Sequence, residues 1–175
     1  MRAVAIVVAA VGLASACLCA AAPPQAAPRQ DKKVCILDGT PVVAFGSYDP
    51  MDDTPLDVQG RVSYMCNNSG GDVSRTGTPV TLGKLIVQIS LSPGNGGTFQ
   101  QRYLAGGRDR LRYNLYLDPQ RTIVWGDGTS GSQTYSEHAQ PNGHTVVVPV
   151  YGRIFAGQDV EGASYGDTII VTLDF

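Results

Sequence analysis

The side chains able to do chemistry are few and poorly spaced for it. His138 and His144, in SEHAQPNGHT, are the two histidines of the chain. A zinc site takes three or four nitrogen, sulfur or carboxylate ligands, and neither a third His nor a free Cys stands where it could complete one. Solvated loop positions are expected for both. Asp49, Asp52 and Asp53 in YDPMDDT gather carboxylates as a hard-cation site does. They lack the Asp-x-Asp-x-Asp-Gly spacing and closing Glu of a calcium loop, so turn capping is the expected role. The run WGDGT at 125–129 has the glycines of a phosphate loop but no Lys and no helix after it. No Gly-x-Ser-x-Gly elbow occurs. The expectation is a protein that is not an enzyme and carries no cofactor and no metal. A secreted hydrolase using Asp127 or the Asp49 to Asp53 cluster is the weaker competitor, since it needs an acid and base paired in a deep pocket.

Cysteine chemistry points to the compartment. Met1-Arg2 followed by the apolar run Ala3 to Ala22 has the charged start, apolar middle and small-residue end of a secretory signal, read here as residues 1–22. The run is rich in Ala and marginal in length for a membrane span, so no stable span is expected. Lipidation at Cys17 is a competing reading, against which the usual Leu three residues earlier is missing. Without the signal, Cys35 and Cys66 remain. In an oxidising compartment two cysteines are most simply one disulfide, with two free buried thiols as the alternative. The remaining balance is 12 basic against 15 acidic residues, or −3, with no basic run, which excludes a nucleic-acid footprint.

The elements that must position these residues are extended. Residues 23–33, PPQAAPRQDKK, read as a flexible leader. From 34 to 175 the chain is one domain of short segments: Val34 to Leu37, Val42 to Tyr48, Leu56 to Asn67, Leu85 to Leu91, Leu111 to Leu117, Thr122 to Trp125, Val146 to Tyr151 and Asp167 to Phe175. Apolar residues alternate within them, as in Val58, Val62, Tyr64 and Cys66 or Leu85, Val87, Ile89 and Leu91. Gly, Pro, Asn and Asp clusters supply turns between them. An all-β immunoglobulin-like sandwich follows. Ile169, Val171, Leu173 and Phe175 share one face of the last segment. A terminus that apolar is expected to be held by something, since chain ends normally fray.

Taken in order, FGSYDP at 45–50, the second Cys at the end of the third segment, YNLYLD at 113–118, WGDGT, PVYGRI at 149–154 and the ending GASYGDTIIVTLDF resemble the spore coat protein U domain, the fold unit of archaic chaperone-usher pilus subunits. The resemblance runs from about Cys35 to Phe175. It implies a disulfide between Cys35 and Cys66. It also implies an incomplete sandwich finished by a donated strand, with Ile169, Val171, Leu173 and Phe175 as the partner-binding groove. The implied partners are a periplasmic chaperone, an outer-membrane usher and neighbouring pilin subunits; the implied place is the cell surface, in adhesion and biofilm. A donor needs an alternating apolar segment before the first Cys, and the proline-rich leader has none. That departure suggests the pilus tip, with Tyr103, Phe99 and Met51 as candidate contact residues. The alternative is a secreted or surface coat module that closes its own sandwich by tucking Val34 to Leu37 into the open edge.

Overall fold

The computed structural model describes residues 33–68, 85–141 and 143–175. The expected signal segment, Cys17 and nearly all of the leader lie outside the described residues. Eight strands follow in chain order: β1 Lys33–Leu37, β2 Leu56–Asn68, β3 Ile86–Leu91, β4 Arg102–Gly106, β5 Asp109–Tyr116, β6 Tyr135–His138, β7 Thr145–Ile154 and β8 Val171–Asp174. Among the described residues there is no helix.

Two antiparallel sheets face each other, one of five strands in the order β1-β2-β7-β5-β4 and one of three in the order β6-β3-β8. Alternation decides which side chains lie between them. Along β2, Val62, Tyr64 and Cys66 are buried while Arg61 is exposed; along β3, Val87, Ile89 and Leu91 are buried while Ile86 and Gln88 are exposed. Leu111, Tyr113 and Leu115 from β5 and Val148, Val150 and Ile154 from β7 complete the core. Each such aliphatic side chain contributes about 1.5–3 kcal/mol on burial. Trp125, fully buried, joins the layers by donating its indole N–H to the Ile89 carbonyl at 2.9 Å.

Cys35 and Cys66 sit directly opposite each other in the β1–β2 ladder and are disulfide-bonded. At a sequence separation of 31, the link removes loop entropy from the unfolded chain worth about 3–4 kcal/mol.

Two expected strands are absent as such, and two unexpected ones are present. Residues 42–48 hold one isolated bridge, Val42 to Arg61, and 122–125 hold two, Tyr116 to Val124 and Trp125 to Gln133. Residues 42–48 lie over the face of the larger sheet, and 122–125 make only short ladders, with Leu115 and Leu117 on one side and Gln133 on the other. Strands β4 (RYLAG) and β6 (YSEH) are edge strands without apolar alternation, whereas β8, also at an edge, keeps it. The last strand is shorter than the apolar run 167–175, since residues upstream of Val171 leave β3 and reach β4 through reciprocal bonds between Ala105 and Gly166. Val34 to Leu37 pairs with β2 and does not enter any open edge of the smaller sheet. That placement overturns the expected self-closure by this segment.

Candidate functional site: an open apolar groove

Between the two sheets, one side of the sandwich is open. After β1 the chain bends at Gly39 and runs as an extended strap, 41–50, across the inner face of the larger sheet. Its residues alternate, Val43 and Phe45 half-buried and Val42, Ala44 and Gly46 exposed. The crossing depends on two glycines of the sheet below. A Cβ on Gly60 would stand 2.8 Å from the Val42 carbonyl oxygen, and one on Gly152 would stand 2.9 Å from the Phe45 ring. Strap and sheet thus approach more closely than any side chain would allow. Phe45 meets Tyr113 edge to face at 5.6 Å, and the Tyr48 hydroxyl accepts the Gln158 backbone N–H at 2.8 Å.

The facing wall is residues 160–171. Val160, Tyr165, Ile169 and Val171 present apolar surface there, with Glu161, Ser164 and Asp167 on the same lining. Asp167 is held by three donors: the Tyr113 hydroxyl at 2.7 Å, the Asn95 N–H at 2.9 Å and its own neighbour Thr168 N–H at 2.7 Å. Burial, followed by the bond to Asp167, pushes the Tyr113 phenol far above its ordinary value, so it remains a donor. Leu91, Leu111, Tyr113, Leu115, Val150 and Ile154 floor a cavity of about 930 Å³. Among the described residues, no backbone hydrogen bond joins the strap to residues 167–175.

Ile169 and Val171 line this groove. Leu173 packs against the core opposite Ile89, outside the groove lining, and Phe175 is 50% exposed. Of the candidate contact residues, Phe99 is buried under Arg102, Tyr103 is half-buried and Met51 is 88% exposed. Sequence reasoning missed the strap wall of Val43 and Phe45, although FGSYDP contains the second of them. It also missed Arg102, fully buried, whose guanidinium donates to Asn114 Oδ1, the Ser92 carbonyl and the Trp125 carbonyl. That side chain ties β4 to the segment after β3, and nothing in RYLAG marks it as internal.

His138 and His144 are both exposed, and Asp49 and Asp52 cap their own turns by accepting the Met51 and Thr54 N–H groups. Among the described residues no group of three or more His, Cys, Asp or Glu is placed to hold a metal ion. No helix there is long and apolar enough to cross a membrane.

The Spore Coat Protein U domain model matches residues 21–172, nearly the whole chain. The chain belongs to the spore coat protein U domain family. Among curated proteins, Protein U of Myxococcus xanthus is 31% identical over 140 residues, which cover 75% of this chain and 70% of that protein. Among solved structures, this family member resembles a chain of the CsuC-CsuE chaperone-tip adhesion subunit pre-assembly complex from the archaic chaperone-usher Csu pili of Acinetobacter baumannii. The TM-score is 0.51 at 16% identity over 82% of this chain. The match spans 40% of that solved chain's length, and at this identity it establishes a shared fold.

Proposed function

We propose that this spore coat protein U domain is an exported pilus subunit of the chaperone-usher type, whose groove accepts an extended segment from another chain. One observation carries the reading: an apolar channel is bounded by two extended walls with no backbone hydrogen bonds between them. A β-strand laid in the channel would pair its main chain with the wall and place alternate apolar side chains over Leu111, Tyr113 and Ile154. Ile169 and Val171 are the groove residues on the last strand; Leu173 supports them from the core, and Phe175 contacts the incoming partner from outside. A periplasmic chaperone would supply the first strand, and an outer-membrane usher would exchange it for one from a neighbouring subunit. An uncovered apolar edge invites aggregation, which gives such a chaperone its physical purpose. A tip position, with adhesion and biofilm as its result, follows if the proline-rich residues 23–33 donate no strand.

The second reading, a secreted or surface coat module outside any pilus, is favoured by the family description and the 31% identity to Protein U. Periplasmic expression with and without a chaperone of this type, followed by native mass spectrometry, separates the two. Recovery only as a one-to-one chaperone complex supports the pilin. A stable monomer recovered alone removes the need for a donated strand and leaves the coat module.

A further inference from the structure

The arginines of this acidic chain are unevenly placed. Both ion pairs among the described residues converge on Asp57, from Arg121 and Arg153. Arg108, Arg110 and Arg112, in the GGRDRLR hairpin between β4 and β5, form none there, and all three are exposed. Arg110 and Arg112 alternate with the buried Leu111, so they project from the solvent face of β5 about 7 Å apart. Arg108 continues the row at the turn. The row is preorganised at two points. The Arg110 guanidinium lies 5.9 Å from the centroid of Tyr103, whose ring is backed by Gly96, and Arg112 Nε donates to Gln158 Oε1 at 3.2 Å. Two carboxylates stand beside the row, bonded to backbone and to no guanidinium: Glu161 Oε1 accepts the Arg108 N–H at 2.9 Å, and Asp109 Oδ2 accepts the Glu161 N–H at 2.7 Å.

We propose that this hairpin face, through Arg108, Arg110 and Arg112, binds an acidic polysaccharide carrying one carboxylate per sugar. Guanidinium groups match carboxylates bidentately, and two on β5 with a third at the adjoining turn suit a linear polymer with repeated charges. A protein partner fits less well, because the row has no projecting aromatic or aliphatic anchor at its centre: Ala105 stands opposite Arg110, and Tyr103 is occupied by it. Duplex DNA, with a charge about every 1.7 Å, is repelled more strongly by a chain of formal net charge −2.

The test is biolayer interferometry of the full exported chain, in the form in which it is recovered, on immobilised polygalacturonate, uncharged dextran and duplex DNA. The expected result is saturable binding to polygalacturonate alone, weakened at least tenfold between 50 and 500 mM NaCl. The double variant Arg108→Gln/Arg110→Gln, which leaves the Arg112 to Gln158 bond intact, should bind at least tenfold more weakly with unchanged melting. If that variant does not fold, the salt dependence and competition by soluble galacturonate on the native chain decide instead. Equal binding to dextran, tighter binding to DNA, or a double variant that binds as the native chain does would overturn the proposal. None of these outcomes depends on the groove, so a failed pilin reading leaves this test standing.

Discussion

Along β2 and β7 ten consecutive residue pairs stay in register, from Leu56 with Ile154 to Met65 with Thr145, while the strap that passes above them makes one bridge, Val42 to Arg61. On the ladder side, main-chain bonds, a disulfide and buried aliphatic side chains all act on the same residues. On the strap side, positions are set by two glycine clearances, one ring contact and one hydroxyl bond. The difference teaches that the sheet beneath the groove is fixed by its ladder, whereas the strap wall is held by a few contacts to residues distant in sequence. Local opening is drawn from regions of low contact density, so the strap is the wall expected to adjust when a segment enters.

The largest expected effect tests whether the fixed side is as firmly built as its bonding implies. Arg102→Ala removes a donor from the buried Trp125 carbonyl, the part-buried Ser92 carbonyl and Asn114 Oδ1, which keeps the Leu115 N–H. With the lost packing of a fully buried side chain, it should cost about 3–5 kcal/mol in denaturant unfolding. A loss under about 1 kcal/mol would mean that β4 is not anchored through this side chain. Next in size, Cys35→Ser under oxidising conditions should lower stability by about 3–4 kcal/mol. Equal melting of the two forms would remove the disulfide from the account of the ladder side.

Phe45→Ala sharpens the contrast from the strap side. A core Phe truncation costs about 3–5 kcal/mol, and a half-buried ring with one edge-to-face contact should cost about 1–2 kcal/mol. Amide exchange over residues 42–48 should quicken while that of β2 and β7 stays unchanged. A cost equal to a core Phe, with exchange lost on both sides, would make the strap part of the core. The smallest effect is acid-dependent. Hydrogen bonding from Arg153 holds the Asp57 carboxyl below its ordinary value. A depressed carboxylate stabilises the fold above its unfolded pKa, and that contribution fades as the pH falls through the folded one. Asp57→Asn should therefore lower stability by a small, constant amount near neutrality, and the difference from the native chain should close as the pH falls below the ordinary carboxylate range. A difference that grows on raising the pH above neutrality would contradict this origin.

Much of the fold was legible because alternation and burial coincide in a sandwich. Val62, Tyr64 and Cys66, or Val87, Ile89 and Leu91, face inward for the reason their sequence suggests. Strands β4 and β6 were not legible, because RYLAG and YSEH carry no apolar period, although β8, equally at a sheet edge, does. Half of the groove wall was visible in Ile169 and Val171, which alternate like any strand. The other half was read as an ordinary strand in 42–48, because a segment crossing a sheet face alternates in the same way as one lying in it.

The sequence by itself determined the all-β class, the inward face of each central strand and the pair of cysteines able to meet, since period-two alternation and turn residues act locally. Only the tertiary structure decided that Gly60 and Gly152 clear a path for the strap and that Arg102 is buried over the Phe99 ring. It also decided that Phe175 stands outside the cavity which Ile169 and Val171 line. Those outcomes depend on which residues, distant in sequence, arrive within a few ångströms of one another, and no local pattern encodes that distance.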